Sequence, residues 1–507
     1  MPPIKSASGV PAARVSSNRI LLLLMLMVFM MSFGASVVQG AITKYLRQVI
    51  CRQHYGLPQE VPVVDRYCHI DAVEKQLEWT EIVLQVCQAA GGLFFAYPVG
   101  KMADSRGRRA ALLLGTCLWL IFSGILITTI WTTSWGARWA LSIVIGAGRT
   151  FVEIAILTMT SDTTNDQQRS THFGFVVSSA LSGLVVSNVI HRYTPRMDFE
   201  IPVLVGFVAV GLSTSLILAI PELLSAQHEN YREEAPEILL ANPPIRPLYR
   251  ILSALISSRA LPLPAIFGLI TALARTSSSS LDLYYVASFN SPEAPKNASS
   301  TFRGDVVRYW TPVVGIFFIS CVILPSVCGY HRRPSGDKVA LRDYRCLVAS
   351  TSILVLASIF VLCKGKLFSL GGILAAAVAA TVPGLCCSLM LYGLGVAVRA
   401  KFAGRLFGIV ATVQCAATLV LAPAIGLATR RSHANGMPTW LLFLISFVVF
   451  GVVLHSNAIW KIPTCERPVA RGDEAGFELS DLGELEPAPP VYSAHQGDRP
   501  APMPIIR

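Results

Sequence analysis

The stretch "GKMADSRGRRAALLLG", Gly100 to Gly115, crowds one acid and four bases (Lys101, Asp104, Arg106, Arg108 and Arg109) into ten residues between two apolar runs. Gly107 allows a tight backbone path there, and Gly100 allows two helices to approach closely. Asp104 is expected where the following helix begins, its carboxylate serving free N–H groups and the positive end of the helix dipole. Arg108 and Arg109 are expected to hold the turn at a membrane surface and to pair with Asp104. What this turn connects depends on the runs around it.

Those runs are built for lipid. The chain has 507 residues, 53% hydrophobic and only 14% charged, against about 25% charged in a soluble domain. Uncharged segments of the length needed to cross a bilayer, about 20 residues, recur along most of it. They are Ile20–Gly40, Ile82–Val99, Ala110–Trp131, His172–Ile190, Ile201–Ile220, Cys346–Cys363, Leu406–Thr429 and Trp440–Trp460, with Leu367–Val398 as one longer span. Trp139–Thr160 and Leu261–Tyr285 are spans that carry charge, and Tyr309–Cys328 is the remaining span. The expectation is an all-α polytopic membrane protein of twelve transmembrane helices. A basic start before an apolar run also describes a signal peptide, but Ile20–Gly40 exceeds a usual signal core and is read as the first span.

Loop charges set the orientation. With both termini cytoplasmic, the inner loops and N-terminus hold 20 Lys+Arg, more than the outer loops, which fits the positive-inside bias. The one N-x-S/T sequon, at Asn297, then falls outside as a glycosylation acceptor. The net charge of +12 is thus mainly this bias, scattered over short turns, and no nucleic-acid partner is expected. The organisation expected is a cytoplasmic N-terminus at 1–19, six-helix bundles at 20–220 and 261–460, a central cytoplasmic loop at 221–260, and a disordered cytoplasmic tail at 461–507. Leu248–Ile256 in that loop reads as a short amphipathic surface helix.

With twelve spans around it, "GKMADSRGRRAALLLG" resembles the signature G-x-L-A-D-R-x-G-R-R/K of the major facilitator superfamily. Gly100, Ala103, Asp104, Gly107, Arg108 and Arg109 match, Met102 takes the Leu position, and Ser105 replaces an Arg. The resemblance implies two bundles that rock about a central site, and a cytoplasmic latch formed by Gly100, Asp104, Gly107, Arg108 and Arg109. "SDTTNDQQRSTHFGF" (161–175) is similar to the segment after the fourth span in the drug:proton antiporter-like branch, through Asp162, Arg169 and Phe173. That branch takes in tetracycline-resistance exporters, proton-coupled folate carriers and many fungal carriers. "YLRQVICRQHYG" (45–56), closing the first helix, resembles fungal members. The second-half counterpart, "GYHRRPSGDKVALRDYR" (329–345), keeps the basic charge but not the spacing. The fifth span carries glycines 174 and 183 but lacks the Gly-Pro motif of many exporters.

Ionisable side chains deep in a membrane cost about 2.5–3.5 kcal/mol or more and mark cavities or partners. Arg149 and Glu153 in the fourth span are four apart, on one helical face, where they can pair. Arg275 and Asp282 in the seventh are two turns apart and share a face. In the family the first, fourth, seventh and tenth helices line the cavity, so these four residues are expected at a substrate and proton-coupling site, joined by Gln39. Glu153 would exchange the proton while the arginines hold a carboxylate or polar group; the bland alternative is a permanent Arg149–Glu153 pair. Gln85, Gln88, Tyr392 and Gln414 are secondary candidates, each alone explicable as an inter-helix hydrogen bond. Glu81 and His172 are read as interfacial.

Most of the twelve cysteines lie in spans as small apolar residues. Cys51 and Cys68, in the first outer loop, are candidates for a disulfide; a zinc site with His54 and His69 lacks clean spacing, and no metal is expected. The function expected is proton-coupled efflux of a small organic molecule by alternating access, the alternative being a proton-coupled importer of an organic anion or nutrient. No cofactor is expected, and no enzyme chemistry: the chain has no His-rich or carboxylate-rich metal motif and no G-x-x-x-x-G-K-S/T phosphate loop. A monomer in the plasma membrane is expected, with the vacuolar membrane as the other location.

Overall fold

The computed structural model describes residues 17–58, 68, 70–129, 135–164, 168–193, 200–220, 251, 262–272, 336–362, 366–432 and 445–453. Among the described residues there is no strand. The first half comprises α1 (Ser17–Tyr55), α2 (Asp71–Arg106), α3 (Arg108–Thr129), α4 (Trp135–Thr163), α5 (Arg169–Tyr193) and α6 (Glu200–Ala219). The second half comprises α7 (Pro262–Ala272), α8 (Gly336–Leu362), α9 (Lys366–Ser432) and α10 (445–453). Six stretches among the described residues are long and apolar enough to cross a membrane. Helices are the expected solution in lipid, because each backbone N–H and C=O is satisfied within its own segment.

α1 and α2 are longer than the apolar runs that announce them. With 39 and 36 residues they measure about 58 and 54 Å at 1.5 Å per residue, against a hydrocarbon core of about 30 Å. Hydropathy falls at Gly40, yet the helix continues because Leu46, Val49 and Ile50 repeat at helical spacing and are buried. Leu46, Ile50 and Cys51 pack against Cys68, Val73 and Leu77, giving this extension its own apolar seam. Cys51 and Cys68 are joined by a disulfide, with Cα atoms 5.3 Å apart. Much of the expected first outer loop is therefore helix.

At the opposite end, α2 and α3 are separated by Gly107 alone, whose φ of +102° is open to glycine and costly for other residues. Close approach between small residues then sets the first half: Gly115 and Gly148 bring α3 onto α4, and Gly34 and Gly206 bring α1 onto α6.

α9 is helical throughout its 67 residues, but it is not straight. Gly384 and Phe407 both lie against Phe173 of α5, whereas 23 residues of straight helix would separate them by about 34 Å. The chain therefore folds back between Val382–Tyr392, the first limb, and Phe402–Ala424, the second. α2 runs antiparallel along the second limb, with Gly92 on Cys415, Gly408 on Ala96 and Gly100 on Gly404. One buried core joins the halves, combining Ala96, Phe151, Leu157 and Phe173 with Leu385, Met390, Phe407 and Val410.

All the described residues fall in one compact unit, Met1–Trp460. The expected tail, the 221–260 loop apart from Ile251, and the span Tyr309–Cys328 lie outside the described residues.

Candidate functional site

The faces of α4 are assigned by what they touch. Gly148, Phe151 and Val152 meet α3, while Ala147 and Thr150 meet Gly91 and Gly92 of α2. Gly146 abuts the backbone of Gln88, and Ile145 joins the α1 residues Val38 and Ile42 in one core. At 100° per residue, Arg149 and Glu153 occupy the remaining sector, opposite α3 and between α1 and α2. Arg149 is exposed although its neighbours Gly148 and Thr150 are buried, so that sector holds open space. Glu153 is half-buried and lies near Cys387 in the first limb of α9. Both have interaction partners.

Of the other sequence candidates, Gln39 of α1 is exposed, and Gln85 and Gln88 of α2 are half-buried. Tyr392 is half-buried at the end of the first limb. Gln414 in the second limb is 1% exposed, packs against Gly268 of α7, and leaves its Nε2 without a hydrogen-bond partner. Arg275, Asp282 and Asn297 lie outside the described residues.

Below Arg149 and Glu153 the two halves are shut. The Phe173 ring of α5 lies 5.9 Å from that of Phe407. Less than one turn from Phe407, Asp104 Oδ1 accepts a hydrogen bond from the Gly404 N–H at 2.8 Å, and Oδ2 accepts one from the Arg405 N–H at 3.1 Å. These N–H groups stand near the start of the second limb, where the helix dipole favours a carboxylate. Asp104 thus does not cap α3 as the sequence suggests. It sits inside the last turn of α2, and its carboxylate reaches the other half. Arg108 is 2% exposed and forms a buried ion pair with Asp162 of α4, while its charge also acts on Asp104. Arg109 donates to the Leu218 carbonyl at 3.0 Å, serving an end carbonyl of α6. Arg169 is 4% exposed.

A second polar junction at this end does not announce itself in the sequence. Asp343 of α8, 1% exposed, accepts from Ser170 Oγ of α5 at 3.1 Å and from Ser388 Oγ of α9 at 2.8 Å. Arg342 donates to it through Nε at 3.3 Å and Nη2 at 3.1 Å. Burial pushes the Asp343 carboxyl above the usual range, opposed by the Arg342 charge and by the Ser388, Arg342 and Ser170 donors. The available signal is an acid in "RDYR" immediately before an apolar span, in the loop that lacks the motif spacing.

Among the described residues no group of three or more His, Cys, Asp or Glu is placed to hold a metal ion.

A sequence profile described as the Major Facilitator Superfamily matches residues 24–423. Over 252 residues the chain is 23% identical to the MFS-type transporter aprT of Aspergillus flavus, covering 46% of this chain and 47% of that one. Over 216 residues it is 24% identical to the MFS efflux pump atnC of Emericella nidulans, covering 38% and 40%. The chain thus aligns with less than half the length of either relative. Among solved structures, the human organic anion transporter MFSD10 matches with a TM-score of 0.59 at 16% identity, over 86% of this chain and 99% of that one. The proton:xylose symporter XylE bound to 6-bromo-6-deoxy-D-glucose gives 0.58 at 13% identity, over 87% and 95%.

Proposed function

This chain belongs to the major facilitator superfamily, a multi-pass membrane transporter and not an enzyme, and on that premise we propose that it exports a small organic molecule in exchange for protons. The reading rests on one observation: Arg149 and Glu153 share the sector of α4 that α1, α2 and α3 leave open, with Glu153 near Cys387 of the opposite half. A carboxylate beside a cation at that depth couples two binding events. Substrate that engages Arg149 weakens its hold on Glu153, and Glu153 then takes a proton more readily. Gln39 and Gln414 supply hydrogen bonds for orientation, and Arg275 and Asp282, outside the described residues, are the sequence's further candidates for the same site. Both termini are assigned to the cytoplasm, so the Asp104 end is the inner gate, closed in this conformation. The 23% and 24% identical relatives, one of them an efflux pump, support the export direction.

The test is proteoliposome transport under an imposed pH gradient, with solutes chosen by comparing metabolites retained and excreted by cells with and without the protein. Export predicts solute moving against the proton flow. Movement with the proton flow would instead support the second reading, import of an organic anion, which is favoured by the accessible Arg149 guanidinium and by the absence of proline from α5.

A further inference from the structure

The outer end of α2 carries a pattern that the site does not use. Glu74, Glu78, Glu81, Gln85, Gln88 and Gly92 follow one another at alternating intervals of four and three residues, so they form one continuous stripe along an otherwise apolar helix. α1 supplies the facing stripe, Gln39, Thr43 and Arg47, one turn apart. The two meet at observed bonds: Arg47 Nε to Glu74 Oε1 at 3.0 Å, and Thr43 Oγ1 donating to Glu81 Oε1 at 2.6 Å. The sequence alone suggests an interfacial Glu81; the structure turns it inward, half-buried between α1 and α2.

The register with α4 shows where the stripe leads. Gly146 packs on Gln88 and Thr150 on Gly92, so α2 and α4 run parallel, and Glu153 stands one turn beyond the Gly92 level. From Glu81 to that depth is fourteen residues, about 21 Å of axis. Polar groups mark the interval: Gln85 and Gln88 on α2, Gln39 on α1, and Arg149 on α4. Ser142, on the same α4 face as Arg149 and level with Gln85, is 0% exposed, and its Oγ has no hydrogen-bond partner. A buried hydroxyl left open in this way is a place for an ordered water.

We infer that this stripe is the proton route to the site, with Glu81 as the carboxylate that passes protons between the outer surface and Glu153. The inference rests on the proton-coupled reading of Glu153. The step is a proton transfer and nothing else: the Glu81 carboxyl releases its proton through water along Gln85, Gln88 and Ser142, and the Glu153 carboxylate takes it up. Thr43 then donates to the Glu81 carboxylate. The charges facing Glu81 are Arg47 of α1 and Glu74 and Glu78 of α2; at its level α4 carries Arg138, stacked 4.3 Å from the Trp135 ring centroid. The acids gather protons at the mouth, and Arg47 returns Glu81 to its charged form.

The test follows protons alone. The full-length protein in lipid nanodiscs is subjected to a rapid pH drop, and the infrared carboxylic-acid band of Glu153, identified by its loss in Glu153→Gln, is timed. Glu81→Gln and, separately, Gln88→Leu should leave the final amplitude unchanged but slow its appearance about a hundredfold, and Glu81→Asp should restore most of the rate. An unchanged rate in both Glu81→Gln and Gln88→Leu overturns the route while leaving Glu153 as the coupling residue. If Glu153→Gln removes no titrating band, the proton-coupled reading fails first, and the route with it.

Discussion

Asp104 and Gly404, three hundred residues apart, are bonded carboxylate to backbone N–H at 2.8 Å, tying the last turn of α2 to the second limb of α9. The carboxylate is 6% exposed, so its two backbone donors are shielded from water. Replacing it by a neutral amide keeps an acceptor and removes the charge. Asp104→Asn should weaken closure by about 1–2 kcal/mol, a factor of roughly 5–30 in the closed-to-open ratio. Ala403, 1% exposed beside the bond, is the reporter: maleimide labelling of Ala403→Cys should rise by that factor in the Asp104→Asn background.

The same junction depends on the absence of a side chain. A Cβ on Gly404 would stand 2.5 Å from Asp104 Oδ1 and the same from the Gly100 carbonyl oxygen. Gly404→Ala should therefore part α2 from the second limb even though Asp104 is intact. The Ala403→Cys reporter should label at least as fast as in Asp104→Asn, and combining the two substitutions should add little, since both break one contact.

Asp343 should make closure proton-dependent. Its carboxyl is pushed up by burial in the closed arrangement and returns toward about 4 when the halves part and water reaches it. The closed form therefore binds protons more tightly, and acid favours closure. The stabilisation is complete below the ordinary carboxyl pKa and fades as pH rises through the raised value. Ala403→Cys labelling should increase with pH across that window, and in Asp343→Asn the slope should flatten.

The Cys51–Cys68 bridge closes a loop with a sequence separation of 17 over the helical extension of α1 and α2. Removing a cross-link of this size costs about 3 kcal/mol. Cys51→Ser with Cys68→Ser should lower the thermal midpoint of the purified protein, as reductant should in the wild type. An unchanged midpoint in both would show that the seam of Leu46, Ile50, Val73 and Leu77 holds the extension unaided.

These contacts differ in how far they could be read in advance. The spans were legible because lipid demands long uncharged runs, and the Gly100–Arg109 turn because its glycines and charges are local. The partner of Asp104 was not, because it is backbone N–H, which carries no residue signature, on a limb three hundred residues away. The ion pair of Arg108 with Asp162 was not legible either, because it follows from the packing of α3 on α4. Hydropathy ended α1 at Gly40 because it measures lipid compatibility, while the amphipathic extension to Tyr55 is held by α2 and a disulfide. The inner sector of α4 was legible as a charge pair at helical spacing, but its direction followed only from the glycines around it.

The central claim is that Glu153 carries the proton that drives transport. Its most direct test is proteoliposomes holding wild type or Glu153→Gln, assayed with the solute identified by metabolite profiling, under a pH gradient and then in gradient-free counterflow. The account predicts that Glu153→Gln loses gradient-driven accumulation and keeps counterflow exchange. A Glu153→Gln protein that still concentrates solute on a proton gradient would contradict it.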